Sequence, residues 1–243
     1  LRMKVAVVGA GWAGLACAVH AVRAGHEVTV FEAARIAGGR ARRVDADGGR
    51  ALDNGQHILI GAYSATLGLM RDLGVAPEAA MLRTPLQLRF ADGGGLALPR
   101  LPAPLDLVAG ILGARGWTWR DKASLLRTAV AWRAAHFQCE THRTVAQLCA
   151  ALTPRVVQEL IEPLCVSALN TPVAQSSGQV FLRVLHDALF SERGGADLLL
   201  PRVDLGRLLP DAASDWLAQH GAQLRLGQRV QALHRIGDGW QLE

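Results

Sequence analysis

VAVVGAGWAGLACAVHAVRAGHEVTVFEAARIAGGRARR, residues 5–43, decides how the rest of this chain is read. Its apolar opening, residues 5–8, reads as a strand buried on both faces. The run breaks into Gly9-Ala10-Gly11-Trp12-Ala13-Gly14, and helix-forming residues follow at once. Gly9 allows a tight bend, Gly11 lets a pyrophosphate approach the backbone, and Gly14 lets the new helix pack closely on the strand. The start of that helix, with unpaired N–H groups and a positive dipole end, is an anion site that needs no basic side chain. None occurs between Gly9 and His20.

A glycine turn of this spacing is weak evidence alone, and its context supplies the rest. Residues 28–31, Val-Thr-Val-Phe, read as a second parallel strand. Glu32 closes it, followed by Ala33, about twenty residues past the glycines, where an acid accepts from both ribose hydroxyls and repels a 2′-phosphate. Gly38-Gly39-Arg40 comes next, and residues 53–57 read Asp-Asn-Gly-Gln-His.

This set of motifs resembles the flavoprotein superfamily of amine oxidases and carotenoid or phytoene desaturases, in which the first glycine motif is paired with a downstream GGR. Three later runs narrow the likeness: DNGQHILIGAY (53–63), PLCVSALNTP (163–172) and ADLLLPRVDL (196–205). They are similar to the squalene-associated FAD-dependent desaturase family, also called hydroxysqualene dehydroxylase, and the likeness runs through nearly the whole chain. The resemblance implies FAD held by Gly9, Gly11, Trp12, Ala13, Gly14, Glu32, Ala33, Gly38, Gly39 and Arg40. It further implies Asn54, Gly55, Gln56 and His57 beside the isoalloxazine ring, and the backbone of Val230 against the adenine. His57 is the candidate catalytic acid, with a purely hydrogen-bonding role as the alternative. The implied activity is reductive dehydroxylation of hydroxysqualene to squalene. Carotenoid-type desaturation or amine oxidation remains open, because the motifs do not set the direction of hydride transfer. A long-chain isoprenoid substrate, peripheral membrane contact and other squalene-pathway enzymes are the implied partners. A catalytically silent dinucleotide-binding module would leave DNGQH and the long apolar insertion without purpose.

Half of the 243 residues are apolar, ample for a core. The formal charge is +5, and lysine occurs only at Lys4 and Lys122, so 24 of the 26 basic residues are arginine. Such a balance favours an anionic surface or acidic partner. With five Phe, one Tyr and no basic block between aromatics, nucleic acid is not expected. Cys17, Cys139, Cys149 and Cys165 show no CxxC and no disulfide spacing, which points to a reducing compartment, and Cys17 is expected on a buried helix. No apolar run reaches the ~18 residues of a membrane span, and the chain enters a strand directly instead of a signal peptide. The expected location is cytoplasmic, peripheral on the inner face of the membrane. Both ends read as cut, since Leu1-Arg2 precede Met3 and Glu243 directly follows a strand-like run.

The expected fold class is α/β: a doubly wound FAD domain, discontinuous at 1–84 and 196–243, with a mainly helical α+β substrate domain, 85–195, inserted. Residues 44–52, with an Asp-Gly-Gly turn at 47–49, read as a hairpin-like link. Helix 63–73 and a strand pair at 86–90 and 96–98 follow. Residues 99–119 carry a short apolar helix with Trp117 and Trp119 after it, either buried or lying in a membrane interface. A helix over 121–137 capped by Asp121, short helices at 144–152 and 155–161, and a cavity-wall loop at 163–172 with Asn170 and Thr171 as polar contacts are expected next. Ser167 has no nucleophile elbow, and Cys165 no neighbouring base. His136, Cys139 and His142, at three-residue steps on a helix face with no fourth ligand, are not expected to bind metal. An amphipathic helix at 179–190, a strand at 196–201, a helix over 204–220 and a strand over 224–230 complete the reading.

Overall fold

The computed structural model of the protein describes residues 2–46, 50–191 and 193–243. The chain divides into two units, one formed by Leu1–Leu59, Ser64–Leu82 and Leu199–Glu243, the other by Ile60–Tyr63 and Arg83–Leu198. The expected boundaries at 84/85 and 195/196 stand against observed crossings at 82/83 and 198/199.

In chain order, β1 (Lys4–Val8) leads through α1 (Trp12–Arg23) to β2 (Glu27–Glu32). β1 and β2 pair in parallel with Lys4 opposite Glu27 and Val8 opposite Phe31. β1 is not buried on both faces as its composition suggests: Val7 is buried but Val8 is 55% exposed. Among the described elements α1 covers one face of the strand, so burial alternates with the period of two. The buried stripe of α1 is Leu15, Ala18 and Val19. Cys17 lies off that stripe and is exposed, contrary to expectation.

A hairpin follows, β3 (Arg43–Ala46) antiparallel to β4 (Arg50–Asp53), with Arg43 opposite Asp53. Its expected turn at 47–49 lies outside the described residues. After β5 (Leu59–Ile60) come α2 (Ser64–Asp72), α3 (Pro77–Ala80) and β6 (Met81–Thr84).

The second unit opens with the hairpin β7 (Gln87–Arg89) and β8 (Gly95–Ala97), then α4 (Leu105–Leu112) and α5 (Trp119–Ala134). The cap of α5 is Thr118. Asp121 is the third helical residue of a capping box, its Oδ2 accepting from Thr118 N at 2.8 Å. The helix ends before His136, so His136, Cys139 and His142 do not share a helix face. α6 (Val145–Leu148) has a second capping box from Thr144 and Gln147. α7 (Pro154–Val156) runs into a π-turn at Val157–Ile161 and then α8 (Glu162–Leu169). Residues 163–169 are therefore helical and not a loop. Pro163 is tolerated at the start of α8, and Asn170 ends it in the left-handed region at φ 51°. α9 (Gly178–His186) passes into another π-turn, Asp187–Ser191, so the expected single helix changes pitch.

β9 (Leu198–Pro201) returns the chain to the first unit, where α10 (Leu205–Leu208) and α11 (Pro210–Gln219) replace the single expected helix. The break is at Leu209, because Pro210 cannot donate to a continuing helix and begins a new one instead. β10 (Gln223–Leu226) pairs in parallel with β2, giving the strand order β1-β2-β10. That strand stops at Leu226, and Gly227 at φ 71° turns the chain, so Val230 lies beyond the sheet. β11 (Leu233–Ile236) and β12 (Gly239–Leu242) form a terminal hairpin. Leu15, Val30, Met70, Leu205, Leu208 and Leu217 centre the core of the first unit, and Ile111, Ile161, Phe181 and Leu182 that of the second.

Candidate functional site

At the carboxyl end of β1 the chain bends at Gly9, whose φ of 101° is closed to residues with a side chain. Its N–H donates to Phe31 O at 2.7 Å, tying the loop to β2. Gly11 is the N-cap of α1. No side chain caps the helix there, and no acid sits in its first turn. The N–H groups of that turn are therefore offered to an outside acceptor. A Cβ on Gly14 would fall 1.9 Å from Gly9 O, so that glycine is required by the protein's own packing. A Cβ on Gly11 would meet nothing nearer than Gly39 Cα at 3.8 Å, so the space above Gly11 is left for a ligand.

Glu32 ends β2 and reaches back to the loop. Its Oε2 accepts from Ala10 N at 2.7 Å and its Oε1 from Ala34 N at 2.8 Å. A carboxylate has about four acceptor positions, so two remain for a diol. Ala33, between these contacts, is exposed. The Gly38-Gly39 pair docks on the same loop: Gly38 N donates to Ala10 O at 2.7 Å, and Gly11 and Gly38 form a parallel bridge. A Cβ on Gly38 would lie 2.9 Å from Arg42 Cβ, and one on Gly39 3.1 Å from Gly11 Cα, so this second pair docks closely because its glycines carry no side chain. Trp12 Nε1 donates to Ala41 O at 2.9 Å and fastens the same segment to α1.

Arg40 is exposed, and its carbonyl accepts from Asn54 Nδ2 at 3.3 Å. Asn54 N donates to Arg42 O at 2.9 Å, which sets the 54–57 run against the GGR segment. Gly55 turns at φ 97°, and His57 Nδ1 lies 3.2 Å from Gly55 O. With Nδ1 protonated, His57 donates to its own loop and keeps Nε2 for another partner. Gln56 is exposed on that loop. Val230 is half-buried. Two residues before it, Gln228 N donates to Glu32 O at 2.9 Å, bringing this segment to the end of β2. Gly9–Gly14, Glu32, Gly38–Arg40 and Asn54 thus form one hydrogen-bonded cluster, while Gln56, His57 and Val230 hang from its edges.

Residue-type reasoning passes over the braces behind this cluster. Arg43 Nη1 donates to Asp211 Oδ2 at 3.0 Å and to Asp204 Oδ1 at 3.2 Å, and the two carboxylates raise its pKa, Asp211 most. Asp53 Oδ1 accepts from Leu205 N at 2.8 Å, the first residue of α10. These contacts hold the hairpin that carries Asn54 to His57 against α10. The available signal was positional: Asp53 begins DNGQH, and Asp204 lies within ADLLLPRVDL.

A parallel β-α-β sheet with this interlocked glycine cradle and an acid at the end of β2 defines a dinucleotide-binding unit, and the match of residues 12–243 to the flavin containing amine oxidoreductase family makes it part of an FAD-dependent oxidoreductase. FAD is the cofactor, its pyrophosphate suited to the start of α1 and its ribose to Glu32. The chain thus belongs to the flavin containing amine oxidoreductase family. It is 28% identical to hydroxysqualene dehydroxylase of Rhodopseudomonas palustris, over 98% of this chain and 56% of that protein. It is 31% identical to phytoene dehydrogenase of Streptomyces griseus, over 96% of this chain and 50% of that protein. Among solved structures, an oxidoreductase from Methanosarcina mazei shares the fold, with a TM-score of 0.68 at 19% identity over 99% of this chain and 57% of that one. The chain spans about half the length of the curated relatives it matches.

Proposed function

We propose that the protein containing this chain reduces hydroxysqualene to squalene. The supporting observation is the likeness to three hydroxysqualene dehydroxylases, each over 95% or more of this chain. The second unit adds a wholly apolar interior whose cavity of ≈ 40 Å³, among Leu98, Ile111, Trp132, Leu164, Leu185 and Phe190, has to widen before it takes a long chain. Such a lining takes hydrocarbon and leaves an amine or sugar without a hydrogen-bond partner. Both π-turns contribute to its wall, through Leu160 and Ile161 and through Leu189 and Phe190. π-turns within helices often mark functional sites. The three runs at 53–63, 163–172 and 196–205, which resemble the hydroxysqualene dehydroxylases, support this substrate.

FAD held by the Gly9–Gly14 loop and Glu32 would, once reduced, supply hydride chemistry for this reaction. The chain's own residues bind the pyrophosphate at Gly11 to Gly14, hold the ribose at Glu32, and place the 54–57 loop through Asn54. Loss of an allylic hydroxyl needs a proton. His57, held at Nδ1 by Gly55 O, would deliver it from Nε2, so that hydroxyl and proton leave as water. An apolar enclosure keeps bulk water from the allylic cation formed in that step. Mass spectrometry of products from the intact, chemically reduced flavoprotein with hydroxysqualene tests the reading. Squalene is expected. Unchanged hydroxysqualene, alongside desaturation of phytoene by the oxidised protein, would replace it with the desaturase reading.

A further inference from the structure

The sequence of α4, Leu-Asp-Leu-Val-Ala-Gly-Ile-Leu, has a single polar residue, too few for an ordinary surface helix. Its inward face is Leu107, Gly110 and Ile111. Packing there is close, since a Cβ on Gly110 would lie 2.6 Å from Leu98 Cδ2. The opposite face is apolar as well: Leu105 is 57% exposed, Val108 37% and Leu112 44%, and Leu101 just ahead of the helix is 42% exposed. Positions 105, 108 and 112 follow the i, i+3, i+7 spacing of one helical stripe. Trp119 is 73% exposed at the start of α5. Lys122 joins it to the stripe, with its Nζ 5.1 Å from the Trp119 ring centre and donating to Leu112 O at 2.7 Å.

Charge around the stripe is one-sided. Between residues 99 and 122 the basic side chains are Arg100, Arg115, Arg120 and Lys122, and the acids are Asp106 and Asp121. Asp121 is buried in its capping box, which leaves Asp106, in one pocket with Arg100, as the single acid set against the exposed Arg100, Arg115 and Arg120 and the half-buried Lys122. A hydrocarbon stripe with an exposed tryptophan and a basic border matches acyl chains under anionic headgroups, with the indole at headgroup depth. At eight residues, about 12 Å long, α4 can lie in that interface and cannot cross it.

We propose that the outward face of α4, with Trp119 and the flanking arginines, docks this unit onto an anionic lipid surface. The inference does not depend on the reaction assigned above. Sedimentation of the intact flavoprotein with phosphatidylcholine vesicles, and with phosphatidylcholine–phosphatidylglycerol vesicles at low and raised salt, tests it. Retention on the mixed vesicles and its weakening by salt are expected. The double variant Leu105→Glu/Leu112→Glu should lower retention by about tenfold or more, and Arg115→Gln or Arg120→Gln by about fivefold each. Val130→Glu, at an exposed position elsewhere on α5, should leave it unchanged. Equal retention on both vesicle types, or of the wild type and the double variant, would overturn the proposal, as would failure to bind either vesicle. Turnover of detergent-dispersed substrate, read on the same preparations, tells loss of docking from failure of the assigned reaction.

Discussion

In the first unit the cradle assigned to FAD is largely backbone, and Gly9, Gly14, Gly38 and Gly39 have conformations or approaches that exclude a side chain. In the second unit the candidate substrate wall is made of apolar side chains, carried on helices that twice widen into π-turns and also on and beside the β7–β8 hairpin. A backbone cradle has few sequences able to form it, because one misplaced Cβ collides with a neighbouring main chain. An apolar wall has many, because hydrophobic residues of similar volume exchange at small cost. On that contrast the glycine cradle should tolerate few substitutions and the apolar wall many.

The sharpest break of the contrast is at two glycines of the same loop, Gly14 and Gly11, one required by the protein's own packing and the other free of it. Gly14→Val places its Cβ against Gly9 O and should abolish FAD binding while destabilising the first unit by about 3 kcal/mol or more. Gly11→Ala meets no protein atom closer than 3.8 Å, so the fold should survive while FAD is lost. Flavin absorbance and thermal unfolding, measured together, check both. Normal FAD occupancy in Gly11→Ala would show that the space above Gly11 is not the pyrophosphate site.

At the edge of the cradle, His57→Gln should keep FAD bound and slow dehydroxylation by about 10² to 10⁴, the range for loss of a general acid. Turnover per bound flavin is the quantity to follow. If it stays near normal while occupancy drops, His57 serves the cofactor and not the substrate.

The smallest effect concerns the scaffold of the second unit. Hydroxyl hydrogen bonds from Thr153 and Thr118 hold the Asp121 carboxyl below its usual range. A carboxyl whose folded pKa is lowered stabilises the fold above its unfolded value near 4, and loses that contribution as pH falls through the folded value. Asp121→Asn should therefore cost about 1 to 2 kcal/mol at neutral pH and less as the solution is acidified. Denaturant unfolding at several pH values checks this, and a penalty independent of pH would show that the carboxylate charge contributes nothing.

The sequence alone was enough for the parallel β-α-β start and for Glu32 at the end of β2. Both depend on local backbone chemistry: glycines where no Cβ fits, an acid at a strand end, a helix start without a basic residue. The flavin class came from the resemblance carried by Gly38-Gly39-Arg40 and the 53–57 run. The sequence misled where a local pattern has more than one outcome. The apolar run of β1 has one open face, residues 163–169 are helical despite Pro163, Pro210 divides one expected helix into two, and the strand before Val230 ends at Leu226. Only the tertiary structure decided that the GGR segment locks against Gly11, that Arg43 and Asp53 brace the 54–57 loop through Asp204, Asp211 and Leu205, and that the outward face of α4 stays exposed. The physical reason is sequence separation. Contacts spanning 150 residues or more, such as Asp53 with Leu205 at 152, leave no periodicity or spacing to read, and they form only when packing brings the two segments together.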